Sequence, residues 1–175
     1  MSTFIEGETV SLRGIEKRDA SFIRENINRS DIRVFVDHRG PTTSRNEEDF
    51  IREVNTDESR FSFIIVYEEE RAGFIELKTL LKESRLGEIE IWVAPEYQGN
   101  GIGRESSEMI VDFGFNQLNF HKIIARLHSS NRASKNIWEK LGFQKEGTMK
   151  KALIMDGEWV DALTYGMLKE EWEEV

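Results

Sequence analysis

The sequence predicts an α/β (α+β) fold in which helices pack on the faces of a mixed sheet. Three observations carry that expectation: β-rich and helix-spaced runs interleave along the chain, a glycine-rich turn sits at a strand-to-helix junction, and charged or Asp-Gly turns join successive β-rich runs. In order, "ETVSLRGI" alternates Val10 and Leu12 with an exposed Arg13 and reads as a strand; "KRDASFIRENI" offers Asp19 as a cap before Ala20, Ile23 and Ile27 at helical spacing. Ser44 with Glu47 forms a capping box, which predicts a second helix from about Arg45 to Val54. Two β-rich runs in "RFSFIIVYEEERAGFIELKTLL" and "GEIEIWVA" after Gly87 predict an antiparallel meander of three strands. Ile102, Ser106, Met109, Ile110 and Phe113 share one helical face, so Gly101 to about Phe115 reads as an amphipathic helix. "HKIIARLH" is a further strand, and "NRASKNIWEKLGF" is a helix with Ala133, Ile137, Trp138 and Leu141 on one face and Gly142 at its C-terminal stop. The tail reads as two strands joined at "MDGEW". The order is thus β-α-α-β-β-β-α-β-α-β-β.

At 175 residues the chain suits a single domain, 1–175, and 38% hydrophobic with 33% charged residues is a globular composition. With no Cys there is no disulfide framework, thiolate metal site or cysteine nucleophile. The charged first thirty residues and the longest apolar run, Phe63 to Tyr67, argue against a signal peptide and a membrane span, so a cytoplasmic location is expected. A net charge of −9 argues against a nucleic-acid partner, which needs clustered Lys and Arg, and suits a cationic substrate. No His shows metal-ligand spacing, and no metal is expected.

The feature that points to chemistry is "PEYQGNGIGRE", which places Gly99, Gly101 and Gly103 at alternate positions between a strand and a helix. A helix N-terminus leaves its first four N–H groups unpaired and carries about half a positive charge, so a turn without side chains makes it an anion site. A tight turn that needs positive φ, or close helix-to-sheet contact, is the usual reason for a single glycine; three at one junction favour a phosphate cradle. The spacing departs from G-x-G-x-x-G, with Arg104 where the last glycine belongs, and there is no G-x-x-x-x-G-K-[ST].

Gln98-x-x-Gly101-x-Gly103 after "EIEIWV" resembles the acyl-CoA pyrophosphate signature of the GNAT superfamily of N-acetyltransferases. "NRASKNIWEKLGF" is similar to the family's second motif, "LRGIEKRDA" to its opening strand and helix, and the tail to the ribosomal-protein (Rim-type) and spermidine acetyltransferase branch. The resemblance implies the GNAT fold, a mostly antiparallel twisted sheet of about seven strands with about four helices, and acetyl-CoA as cosubstrate without a metal. It places the pyrophosphate on the amides of Gln98, Gly99, Asn100, Gly101, Ile102, Gly103 and Arg104, and the pantetheine arm along the backbone of Ile91, Trp92 and Val93. Asn131, Asn136 and Trp138 complete the implied cofactor set; Asn131 also reads as a helix N-cap and Trp138 as a core aromatic.

Acetyl transfer to an amine needs the neutral amine, whose pKa if lysine-like is about 10.4, so a base or water relay must remove a proton. Glu88 and Glu90, two apart on one strand, share a face and are the base candidates; a solvent-facing strand edge explains each equally well. Many family members place an acidic Tyr where this chain has Trp138, and an indole cannot serve as an acid. The Rim-type branch instead presents a Ser in N-x-x-S, matched by Ser134, as hydrogen-bond donor to the leaving sulfur. The Trp keeps open a non-catalytic acyl-CoA-binding module as the alternative. Asp161, Tyr97 and Tyr165 are further candidates without a positional argument, and His128, at the end of the strand facing the site, is a candidate relay whose ordinary reading is a structural or solvated histidine. The branch resemblance implies a protein N-terminal α-amine as acceptor, with a polyamine or another small amine, including an aminoglycoside-like one, next. The segment "SDIRVFVDHRGPTT" is where the family shapes its acceptor pocket, with Asp31, Asp37 and His38 as contacts. Apolar strands near the C-terminus allow a homodimer.

Overall fold

A computed structural model describes residues 2–36, 40–155 and 157–174, apart from the side chains of Glu47 and Glu48; Asp37 and His38 thus lie outside the described residues. The elements are β1 (Ile5–Glu6), β2 (Val10–Gly14), α1 (Ala20–Ile27), α2 (Ser30–Arg33), α3 (Ser44–Thr56), β3 (Arg60–Tyr67), β4 (Glu70–Leu81), β5 (Leu86–Val93), α4 (Ile102–Asp112), β6 (Lys122–His128), α5 (Arg132–Lys140), β7 (Gln144–Met155), β8 (Glu158–Leu168) and α6 (Lys169–Trp172). The eight strands are ordered β1-β2-β3-β4-β5-β6-β8-β7 in one mixed sheet. β5 and β6 run parallel, whereas β2–β3, β6–β8 and β7–β8 are antiparallel. The strand beyond the expected seven is β1, two residues long and paired to β2 through Ile5↔Leu12, too short to leave a periodicity in sequence.

Two compact units divide the chain: Met1–Glu76 with Ile91–Ser106, and Leu77–Glu90 with Ser107–Val175. The first is centred on Ile23, Ile51, Val54, Ile64, Phe74 and Trp92, with Phe22 and Phe50 packed against them. The periodicity of α1 and α3 put those apolar residues on one face each, and burial of such a face is what stabilises helices this short. Two details differ from the sequence reading. The cap of α3 is Thr43, whose side chain accepts from the Asn46 amide, because α3 begins one residue earlier than expected. The Asp19 side chain makes no cap bond; it accepts from both arms of the Arg13 guanidinium at 2.7 Å and from the Glu16 amide at 2.8 Å. Arg13 is therefore only 2% exposed. Alternation along β2 placed it in solvent, but a carboxylate at the end of the next turn supplies the partner that allows a charge to be buried.

A second close approach in this unit is between two stretches of main chain. A Cβ built on Gly73 of β4 would lie 2.4 Å from the Trp92 carbonyl oxygen and 3.1 Å from the Val93 Cα, both main-chain atoms that no rotamer change can move aside. Gly73→Ala is expected to lower the unfolding free energy by about 1–3 kcal/mol in urea titration, the usual cost of overpacking. Gly14→Ala, where an added Cβ meets nothing within 4 Å, should be neutral.

In the second unit β6 and β8 pair along their lengths, from Lys122↔Leu168 to His128↔Ala162. Ile123, Leu127, Trp138, Phe143 and Tyr165 are buried in it, and Trp138 packs on Phe143 at 5.0 Å between ring centroids. Helix α5 ends before Gly142, whose φ of 85° is that of a C-terminal stop. The β7–β8 hairpin closes at Met155↔Glu158, around the Asp-Gly pair; Asp156 itself lies outside the described residues. α4 stops at Asp112, three residues short of the expected Phe115, because the chain widens into a π-helical turn over Phe113–Gln117.

Candidate active site

In the first unit, the end of β5 leads into the glycine turn. The Ala94 amide bonds the Ala72 carbonyl at 2.8 Å and the Trp92 carbonyl abuts Gly73, so the main-chain groups of Ile91 and Val93 point the other way. The side chain of Trp92 is fixed in the core, stacked on Phe74 at 6.0 Å, which leaves only its backbone for a ligand. Register with β6 extends over Leu86–Ile89, and β5 itself runs on to Val93. A short 3₁₀ turn, Pro95–Tyr97, then brings Gln98 back, so that its Nε2 donates to the Val93 carbonyl at 2.8 Å and its amide to the Pro95 carbonyl at 3.2 Å. Gln98 is thus the side chain that folds the loop onto the strand end.

The turn that follows is set by two glycines. Gly99 (φ 86°) and Gly101 (φ 81°) occupy a region that L side chains rarely adopt, and a Cβ added at either meets nothing within 4 Å. They therefore keep open the space in front of the α4 start. Among the described residues, the amides of Gly99, Asn100, Gly101 and Ile102 have no acceptor, whereas that of Arg104 bonds the Gly101 carbonyl at 3.0 Å. The open donors are narrower than the span from Gln98 to Arg104 suggested by the motif. Ile102 is 1% exposed and anchors the helix, while the side chains of Asn100 and Arg104 are exposed. Glu105 accepts from the amides of Thr9 and Val10 at 2.8 and 3.2 Å, tying the first turn of α4 to β2. Bared amides at a positive helix end fit a diphosphate.

In the second unit, Glu88 and Glu90 share a face, since Lys78 on β4 reaches both. Glu88 is 2% exposed and is held by the Arg126 guanidinium, with Nη2 at 3.0 Å and Nε closer. Glu90 is exposed and pairs with Lys78. The cations Lys78 and Arg126 were not readable as partners, because cross-strand register decides which side chains meet.

The second-motif residues lie on or beside α5. Asn131 is the N-cap: its Oδ1 accepts from the Ser134 amide at 3.0 Å, leaving its side-chain amide hydrogens to point elsewhere. The indole Nε1 of Trp138, one turn on, donates to the Ser134 Oγ at 3.1 Å. Trp138 is 1% exposed, so it is a core residue, and the half-buried Ser134 is the group of this pair that a ligand can reach. Asn136 is exposed and stands roughly 200° around the helix from Ser134 at the ordinary pitch. Tyr165 is buried and donates to Glu139 at 3.1 Å; burial, and then that hydrogen bond and charge, hold its phenol above the usual range. Among the described residues, no group of three or more His, Cys, Asp or Glu could hold a metal ion, and no helix is long and apolar enough to cross a membrane.

A mixed sheet with one parallel pair, β5 and β6, followed by a glycine-opened helix start, has the arrangement that an acyl-CoA-dependent transferase needs. The chain belongs to the family described as the acetyltransferase (GNAT) domain, which matches residues 9–144, and it is an acetyl-CoA-dependent N-acetyltransferase. Among its relatives, the spermidine N(1)-acetyltransferase of Escherichia coli K12 is 26% identical over 155 residues, which cover 89% of this chain and 83% of that protein. The fold is also that of the crystal structure of spermidine N-acetyltransferase from Vibrio cholerae in complex with CoA and spermine, with TM-score 0.89, 24% identity and 94% and 98% of the two chains covered. Mycobacterium smegmatis RimJ in complex with CoA-disulfide superposes with TM-score 0.83 at 24% identity, over 93% and 83% of the chains.

Proposed function

We propose that this N-acetyltransferase acts on a small polycationic amine of the polyamine class in preference to a protein N terminus, the reverse of the order suggested by the Rim-type motifs. The observation that carries this reading is the near-full-length relation to spermidine N(1)-acetyltransferases, and a net charge of −9 supports it by favouring encounter with a polycation. Asn131-x-x-Ser134 favours the second reading, an N-terminal α-amine. Acetyl-CoA supplies the activated acetyl group as a thioester. Glycine-turn amides hold its diphosphate, and the backbone of Ile91 and Val93 offers strand-like pairing to its pantetheine arm. The hydroxyl of Ser134 donates toward the leaving sulfur, and the second amide edge of Asn131 is a further donor. Glu90 takes up the amine proton, directly or through water, because it is exposed and, among the described residues, pairs with Lys78 alone; Glu88, forked by Arg126, holds that cation in place.

Mass spectrometry after incubation with acetyl-CoA and either spermidine, spermine or N-terminal peptides is expected to show monoacetylated polyamine as the preferred product. Exclusive acetylation of the peptides would reverse the assignment. Glu90→Gln should lower kcat with the polyamine about 100-fold, within the range of a lost general base. An unchanged rate in that variant removes Glu90 from the chemistry.

A further inference from the structure

We propose that Trp138 is a positioning residue for Ser134: its indole N–H fixes the Ser134 hydroxyl as a donor. The inference rests on the reading of Ser134 as the donor to the leaving sulfur. A serine hydroxyl has one proton and two acceptor lone pairs, and its rotor ordinarily suits whichever partner is near. In a helix the usual competitor is the carbonyl four residues back, which captures the proton and turns the oxygen outward. Here the indole occupies one lone pair at 3.1 Å, and among the described residues the hydroxyl proton has no acceptor. The indole is itself immobile, 1% exposed and packed on Phe143 at 5.0 Å, so the direction of its N–H is set by the core. From the other side the Ser134 amide is pinned by the Asn131 Oδ1 at 3.0 Å. The serine is therefore fixed at its backbone and on one side of its oxygen, and its O–H is confined to orientations that turn away from the indole. Accepting the indole hydrogen also polarises the hydroxyl and makes it a stronger donor. A tryptophan, which cannot deliver a proton, thus acts through the residue one turn before it.

The test is a double-mutant cycle read by steady-state kinetics and, without any ligand, by the indole N–H resonance of Trp138 in proton–nitrogen correlation spectra. Ser134→Ala should lower kcat about 30-fold and move the Trp138 indole resonance upfield. Trp138→Phe should lower kcat about tenfold with KM for acetyl-CoA within about twofold, and the double variant should be no slower than Ser134→Ala alone. Because a smaller ring in the core can loosen the fold, the same measurement is made with benzothienylalanine incorporated at position 138, which keeps the shape of the indole and lacks the N–H; the tenfold loss in kcat should persist. A wild-type kcat with the isostere, a Trp138→Phe loss repeated in full in the Ser134→Ala background, or an indole resonance indifferent to Ser134→Ala would each overturn the proposal. A wild-type kcat in Ser134→Ala overturns the underlying reading of Ser134, whatever position 138 does.

Discussion

Asp19→Asn is expected to lower the unfolding free energy by about 3–5 kcal/mol, the cost of removing one partner of a buried ion pair. The two side chains are 2% and 0% exposed, and both arms of Arg13 reach Asp19 at 2.7 Å. Asparagine keeps one carbonyl acceptor for Arg13 but not the charge, so the buried guanidinium loses its paired carboxylate and one of its acceptors, with the Gly14 carbonyl still at 3.0 Å. Replacing both residues together, as Arg13→Met with Asp19→Leu, should cost far less, because no unpaired charge then remains. The pair also sets a pH dependence. Burial pushes the Asp19 carboxyl up, but the hydrogen bonds from Arg13 and the Glu16 amide, with the charges of Arg13 and Arg71, outweigh it and hold it below the ordinary carboxylate range. A group whose folded pKa is depressed contributes its stability in full above the unfolded value, about 3.9, and loses it as pH falls through the folded value. Urea titrations should therefore show the difference between wild type and Asp19→Asn constant near neutrality and shrinking below about pH 4. A difference that persists unchanged to pH 2 would show that the charge of Asp19 is not what matters.

Gly101→Val is expected to weaken CoA binding on the order of 100-fold, or about 2.7 kcal/mol, by titration calorimetry. A φ of 81° strains a β-branched residue, and the added side chain enters the open space in front of the bared amides. Gly101→Ala should fall between, since it imposes the φ cost with less bulk. If Gly101→Val binds CoA as tightly as wild type, the diphosphate does not sit on this turn.

Much of the molecule was legible in one dimension because local patterns determine local structure. The two-residue alternation of β2 and the apolar faces of α1, α4 and α5 predicted their elements, and the Asp-Gly pair marked the last hairpin. The glycine turn was legible for the same reason: positive φ and unobstructed amides are properties of adjacent residues, and Gly99 and Gly101 have both. Asn131 and Ser134, three apart at a helix start, meet as their spacing requires.

What the tertiary structure decided is which charges and donors are engaged. Arg13 read as exposed and Asp19 as a cap, yet the turn between them brings both ends together in the core. Glu88 and Glu90 read alike, and only strand register gave the buried Glu88 the fork of an exposed Arg126 guanidinium and the exposed Glu90 the half-buried Lys78. Trp138 was a core residue by periodicity, but the direction of its N–H toward Ser134 depends on the packing that holds its ring. The sequence by itself thus determined the family, the cofactor and the longer elements, all consequences of spacing along the chain, whereas the short β1, α2 and α6 left no pattern in it. Electrostatic environment is a sum over neighbours brought together from distant positions, and it exists only once the chain has folded.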